Sequence, residues 1–277
     1  MGLRISTNMP SINAQRSLAG SQRQINKAFA QLSSGSRITK ASDDAAGLAV
    51  SESLQSQMKS FKVASRNAED GMSLVQVAEG GLGEISNILT RLRELGVQAA
   101  SDTIGDRERG FLNLETTQLK QEVERIAQST RFGSKQLLDG SGGKFDFQID
   151  INNDDFKDRV SFDASVLDAR ASTLQIDSVD YATKEGAQIA LDTIDKAQVE
   201  VNGFRANLGA IQNRMISVQS NLGSSYENLA AANSRIRDAD IAQSTADLTT
   251  NNILLNASTA VLQQANNAPA AALKLLS

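Results

Sequence analysis

From Ala187 to Ile236, apolar or small residues recur alternately three and four positions apart: Ala187, Ala190, Ile194, Ala197, Val201, Phe204, Leu208, Ile211, Met215, Val218, Leu222, Ser225, Leu229, Ala232 and Ile236. That is the seam of a helix packed lengthwise on other helices, and it restricts the fold more than any other feature. At ~1.5 Å per residue, about fifty residues of helix span roughly 75 Å. A chain of 277 residues needs no such length for a compact domain, so the seam predicts a rod. The two prolines, Pro10 and Pro269, lie near the ends and leave the interior free of proline kinks.

Two shorter seams can pack against it. One runs Val75, Ala78, Leu82, Ile85, Leu89, Leu92 and weakly on to Ala99; the other runs Leu112, Leu119, Val123 and Ile126, with Thr116 and Thr130 in between. The segment SDTIGDRERG (101–110) separates them and has the chemistry of a turn between antiparallel helices. The two ends are alike. Leu18, Ile25 and Leu32 stand seven apart with Phe29 beside them, and Ile241, Leu248, Leu255 and Leu262 form a second seven-residue series. Isolated amphipathic helices of this kind are marginal in water, so the ends are expected to pair with each other.

Between Phe132 and Asp177 the period changes. KFDFQIDI alternates from Phe145 to Ile151, DRVSFDASV does so less cleanly, and GSGG and NNDD supply turns. The expected fold is mainly α, with long antiparallel helical rods in coiled-coil-like packing, paired terminal helices and a small β-hairpin region in the middle. The stretch SSGSRITKASDDAAGL (33–48) reads as a joint between the first helix and the next rod. Ser33, Ser34 and Gly35 can stop a helix, and Ser42 or Asp43 can cap the following one.

Composition narrows the chemistry. A formal charge of -4, with both signs mixed along the chain, supplies no basic footprint for nucleic acid. Without Cys or His there is no thiol nucleophile, no zinc-thiolate site and no imidazole base. No apolar run approaches the roughly 20 residues that span a bilayer, and MGLRISTNMPSINAQ lacks the apolar middle of a cleavable signal.

The candidate sites of chemistry are weak. DINNDD (150–155) has Asp155 where a calcium loop needs glycine and reads as a hairpin turn; GSGGKF lacks the flanking residues of a phosphate loop. Asp43 and Asp44 are sequence neighbours, which do not face each other on a helix, and are better read as charge at a helix start. No catalytic, metal or cofactor site is expected. LTRLRELGVQ (89–98) is more informative: Leu89 and Leu92 face inward, while Arg91, Glu94, Leu95 and Gln98 fall outside the seam. This is either a solvated face with an ion pair between neighbouring turns or, with Leu95 exposed beside Arg91 and Gln98, a contact surface.

INAQRSLAGSQ, LSSGSRITKASDDAAGLAVSE, NAEDGMSLVQVAEGGLGEI, LTRLRELGVQAA, SRIRDADIA and VLQQANNAP together make the chain closely resemble bacterial flagellin, the subunit of the flagellar filament. The resemblance covers all but about forty residues in the middle, where many flagellins carry large variable outer domains. It implies an inner-tube domain built from residues 1–42 and 237–277. The surrounding rod domain would comprise N-terminal helices at 43–131, a β region at 132–178 and a long C-terminal helix at 179–236.

Further expectations follow from the resemblance. Leu18, Ile25, Phe29, Leu32, Ile241, Leu248, Leu255 and Leu262 would form the paired inner-tube helices and drive polymerisation on becoming ordered. The partners would be other copies of the chain, a flagellar export chaperone and the export apparatus, a filament cap protein and the hook-filament junction proteins; the location would be the extracellular filament. Arg91, Leu95, Gln98 and, on the antiparallel helix, Glu122 match the rod surface that packs against neighbouring subunits and that vertebrate Toll-like receptor 5 detects. The competing readings are a junction or other axial protein that stops growing, and a cytosolic coiled-coil scaffold with the β segment as its ligand head.

Overall fold

The computed structural model describes residues 7–274, with side chains described through residue 267. The outermost parts of the expected inner-tube halves, residues 1–6 and 275–277, lie outside the described residues, as do the first six residues of the stretch read for a signal. The chain forms two compact units, one from residues 1–58 with 228–277 and one from residues 59–227. Five helices carry most of the structure: α1 (Met9–Ser34), α2 (Ala45–Ala99), α3 (Asp106–Ser129), α4 (Lys184–Arg237) and α5 (Ile241–Lys274). Four short strands lie between α3 and α4: β1 (Arg131–Phe132), β2 (Lys135–Gln136), β3 (Lys144–Gln148) and β4 (Arg159–Asp163).

The core of the second unit is the meeting of the three seams. Val75, Ala78, Leu82, Ile85, Leu89, Leu92 and Ala99 of α2 are fully buried, and so are Val123 of α3 and Ile194, Val201 and Leu208 of α4, all in one cluster. Polar pairs fix the register. Gln219 Nε2 donates to Glu69 Oε1 at 3.0 Å, Gln212 Nε2 to Glu79 Oε2 at 2.6 Å and Arg93 Nε to Asp195 Oδ1 at 2.6 Å. Numbers fall along α4 as they rise along α2, so the two helices are antiparallel. Arg91 ties α2 to α3, with Nη2 at 2.9 Å from Glu115 Oε1.

The turn between α2 and α3 is shorter than its sequence suggests. Only residues 100–105 are non-helical, because DRERG begins α3: Gly105 is its N-cap, and Asp106 and Glu108 lie in the first turn, where backbone N–H groups favour negative charge. Arg109 follows and turns back. Its guanidinium donates to the carbonyls of Ala99 at 2.9 Å and Ser101 at 2.9 Å, closing the end of α2.

The β region is half strand and half strap. β3 and β4 pair antiparallel with Phe145 opposite Phe162 and Phe147 opposite Val160, and the alternation points Val160 and Phe162 into the core. The alternating pattern was expected to reach Ile151 but the strand ends at Gln148. There the polar turn takes over: Asp154 Oδ1 accepts from the N–H groups of Phe156 and Lys157 at 3.0 and 3.1 Å, and Asp158 Oδ2 from that of Asp154 at 2.8 Å.

From Ala164 to Tyr181 the chain is mostly irregular and lies on α3, whose side chains satisfy its backbone. Glu124 Oε2 accepts from Ala171 N at 2.9 Å, Asn113 Oδ1 from Tyr181 N at 3.1 Å, and Lys120 Nζ donates to the carbonyls of Asp177 and Val179 at 3.0 and 2.9 Å. Buried backbone without ladder partners requires such substitutes. Within the strap, Asp168 accepts from the Arg170 guanidinium and from Thr173, which hold its carboxyl down at about 2.

Candidate assembly surface

In the first unit the terminal helices α1 and α5 pack on each other. Ala14, Ser21, Ile25 and Ala28 of α1 are buried, as are Ser244 and Ala265 of α5, while Leu18, Leu32, Leu248, Leu255 and Leu262 are half-buried. Small residues on the contact let the two backbones approach. At one end of the pair, Asn8 caps α1 by accepting from Ser11 N at 3.2 Å and donates from Nδ2 to Ala265 O at 2.8 Å; Ser11 Oγ donates to Asn266 Oδ1 at 2.8 Å.

Phe29 and Ile241 do not take part in the covered seam: they are 58% and 53% exposed. They belong instead to an outer set of large apolar residues that includes Met9, Ile12, Ile253, Leu254 and Val261, all exposed. Two helices can each cover only one stripe of the other, whereas α5 carries apolar residues around most of its circumference. The remainder faces water.

The joint of residues 33–48 is a bonded structure. Gly35 ends α1 at φ 67°, a left-handed conformation that suits glycine. The two connectors then run side by side: Arg37 N donates to Arg237 O at 2.6 Å and Ala239 N to Gly35 O at 2.9 Å. The Arg37 guanidinium also donates to Ile236 O, at 2.7 Å from Nη2, closing the C-terminal end of α4 with a cation.

The cap on α2 is Asp44, which accepts from Gly47 N at 2.8 Å, rather than Ser42 or Asp43. Asp43 is turned back into the joint. Its Oδ2 accepts from Thr39 Oγ1, Lys40 N and Thr39 N, and these bonds lower its pKa below the usual carboxylate value, with Lys27 3.7 Å away adding to the effect.

On the second unit, the face expected around Arg91 is only partly as expected. Arg91 is exposed and bridges Glu94 of the next turn at 3.1 Å and Glu115 of α3; the two carboxylates raise its pKa further. Gln98 is exposed as well. Leu95, however, is 1% exposed and belongs to the core. The simple seam counts one neighbour for α2, but α3, α4 and the strap all pack here, so the buried stripe is wider.

Glu122 lies partly exposed on α3. It pairs with Arg125 on its own helix, and the α3 carboxylate that meets Arg91 is Glu115, seven residues or roughly 10 Å earlier. Sequence spacing along one helix does not fix the register against another. Arg37 and Glu115 carried no signal in the sequence beyond being charged residues near a helix end and on a helix face.

Residues 5–142 match the family model for the bacterial flagellin N-terminal helical region, and residues 191–276 match that for the bacterial flagellin C-terminal helical region. A flagellin from Halalkalibacterium halodurans is 42% identical over 272 residues, which cover 98% of this chain and 99% of that protein. Flagellin FlaB1 of Treponema pallidum is 39% identical over 98% of this chain and 99% of its own length. Among solved structures, the crystal structure of Bacillus cereus flagellin superposes with a TM-score of 0.51 at 31% identity, covering 61% of this chain and 94% of that one. With family matches at both helical ends and relatives aligned over nearly the whole length, the chain belongs to the flagellin family, structural proteins that polymerise into the filament of the bacterial flagellum.

Proposed function

We infer that the pair of α1 and α5 is the element through which this flagellin polymerises, with residues 1–42 and 237–277 forming the inner tube and residues 43–236 the surrounding layer. The observation that carries this reading is the exposed apolar set on the pair, Met9, Ile12, Phe29, Ile241, Ile253, Leu254 and Val261. So many large apolar side chains left in water on one pair of helices support an interaction surface, and here neighbouring copies bury them. Ordering of the ends then accompanies assembly, so the helices form stably only where a partner covers them.

Before assembly the same surface needs cover, which is the role of a flagellar export chaperone. The export apparatus carries the chain out, a cap protein guides its insertion at the tip, junction proteins join the filament to the hook, and the assembled filament is extracellular. On the rod, Arg91 and Gln98 with Glu115 form a polar outer face. This is the surface that Toll-like receptor 5 would engage, with Leu95 acting beneath it by packing. Glu122, paired with Arg125, lies about two helical turns from it.

The test is electron microscopy of the full chain, seeded with sonicated filament fragments, beside a version trimmed to Ser42–Ile236. Long uniform filaments from the full chain and dispersed particles from the trimmed chain are expected. Filaments of equal length from both would remove the terminal helices from the assembly mechanism. Arg91→Ala belongs to the same series: it is expected to slow filament growth and weaken signalling in receptor-bearing reporter cells, and no change in either would withdraw the role given to this face.

A further inference from the structure

We propose that the outer face of α4 between Glu185 and Glu200 docks into a cleft beside the β3–β4 hairpin of a second copy, giving the filament a charge-matched contact between rod units. The proposal rests on the filament reading and supplies it with a second, separate contact.

The cleft lies within the second unit and measures about 340 Å³. Phe61 of α2, Ile149 of the hairpin and Val218 and Leu222 of α4 give it apolar walls, and Arg214 and Lys157 stand at its rim. Asp150 is the rim carboxylate, its Oδ1 accepting from Ile151 N at 2.7 Å. Arg214 forms no ion pair among the described residues, and Lys157 reaches only Asp154, at 3.6 Å. With two cations against one carboxylate, the lining of the cleft carries a net positive charge.

The docking face has the opposite character. Glu185, Ile189, Asp192, Val199 and Glu200 fall on one side of α4, away from the buried Ala187, Ala190 and Ile194. Ile189 and Val199 are 69% and 73% exposed, large aliphatic side chains left uncovered on this face of the helix. Glu185, Asp192 and Glu200 form no ion pair among the described residues; Lys196 lies between them, and Asp195 is already held by Arg93. An apolar ridge flanked by carboxylates thus matches an apolar cleft flanked by cations, in shape class and in sign.

The two patches are different surfaces, about 39 Å apart along α4 from Asp192 to Val218 at ~1.5 Å per residue. A contact between unlike patches is head-to-tail, and repeated head-to-tail contacts make an open polymer rather than a closed dimer. That is the symmetry a filament requires.

Charge exchange tests the match on seeded elongation of the full chain. Arg214→Glu with Lys157→Glu, and separately Glu185→Arg with Asp192→Arg, are each expected to slow elongation on their own seeds by about tenfold or more; all four together should return it to within about threefold of the parent. Ile189→Ser with Val199→Ser removes the ridge without changing charge and should slow elongation as well. All these side chains are at the surface, and unchanged melting curves for the monomers would verify that folding is intact. Parent-like elongation by either charge pair, or no recovery in the fourfold variant, overturns the docking alone. A parent chain that does not elongate on its own seeds overturns the filament reading and the docking with it.

Discussion

Tyr181→Ala is expected to lower the stability of the second unit by about 3–5 kcal/mol, the range for removing a fully buried aromatic side chain. The ring has no exposed surface and its hydroxyl donates to Leu92 O at 2.6 Å. It fits there because residue 96 is glycine. A Cβ on Gly96 would lie 3.0 Å from both Tyr181 Oη and Leu191 Cδ2, neither contact leaving room for a side chain. In the three-four spacing of α2, position 96 follows Leu89 and Leu92 on the seam, so the tyrosine of the strap fills the place that a seam residue leaves empty.

Three variants separate the contributions. Tyr181→Phe keeps the volume and loses only the hydroxyl bond, for about 1 kcal/mol, because Leu92 O retains its bond within α2. Gly96→Val overpacks the same contact and should cost about 1–3 kcal/mol although valine is a better helix former than glycine. For Tyr181→Ala the melting temperature followed by far-UV circular dichroism should fall by roughly 6–15 °C. A fall of a degree or two would mean that the strap detaches without consequence for the helices.

Burial also raises the pKa of the Tyr181 phenol, so the folded state holds that proton more tightly than the unfolded chain. Its contribution is complete below a pH of about 10 and declines as the pH rises above it. Tyr181→Phe should lose that part of the alkaline dependence.

The second large effect is expected at Arg109. Its side chain is nearly buried, and its guanidinium serves three acceptors: Nε donates to Ala99 O, Nη2 to Ser101 O and Nη1 to Asp106 Oδ1, each at 2.9 Å. Ala99 O closes α2, where the helix offers it no donor, Ser101 O lies in the turn and otherwise accepts only from Ile104 N at 3.5 Å, and the cation sits at the negative end of the helix dipole. The bond to Asp106 adds little because that carboxylate is largely in water.

Arg109→Ala should therefore cost about 2–4 kcal/mol, chiefly from Ala99 O left without a donor and Ser101 O left with one long bond in a nearly closed site. Arg109→Lys should recover less than half of it, because one ammonium lacks the planar fork that reaches divergent acceptors. Hydrogen exchange places the effect: amides in the last turn of α2 should lose protection first in both variants. A lysine variant as stable as the parent would mean that charge alone suffices at this turn.

The helices were legible from the order of residues alone. A seam of apolar residues is a property of one segment, and the seams over Val75–Ala99 and Leu112–Ile126 reappear as the covered faces of α2 and α3, as does that over Ala187–Ile236 on α4, buried as far as Leu222 and half-buried beyond it. The pairing of the ends and the hairpin were legible for the same reason, as was the left-handed stop at Gly35.

Relations between segments were not legible there and are fixed only by folding. Leu95 is inside because three elements meet on its turn of α2, and a single-helix pattern cannot count neighbours. Glu115 is the α3 carboxylate that meets Arg91 because the register of two antiparallel helices is set by the length of the turn that joins them. Asp44 rather than Asp43 caps α2 because Asp43 is used by the joint, and the strap over α3 has no period to read, its backbone being held by Glu124, Asn113 and Lys120 from another element. Periodicity records which side of a segment is covered; how widely, by what and in which register depends on distances that exist only after the chain has folded.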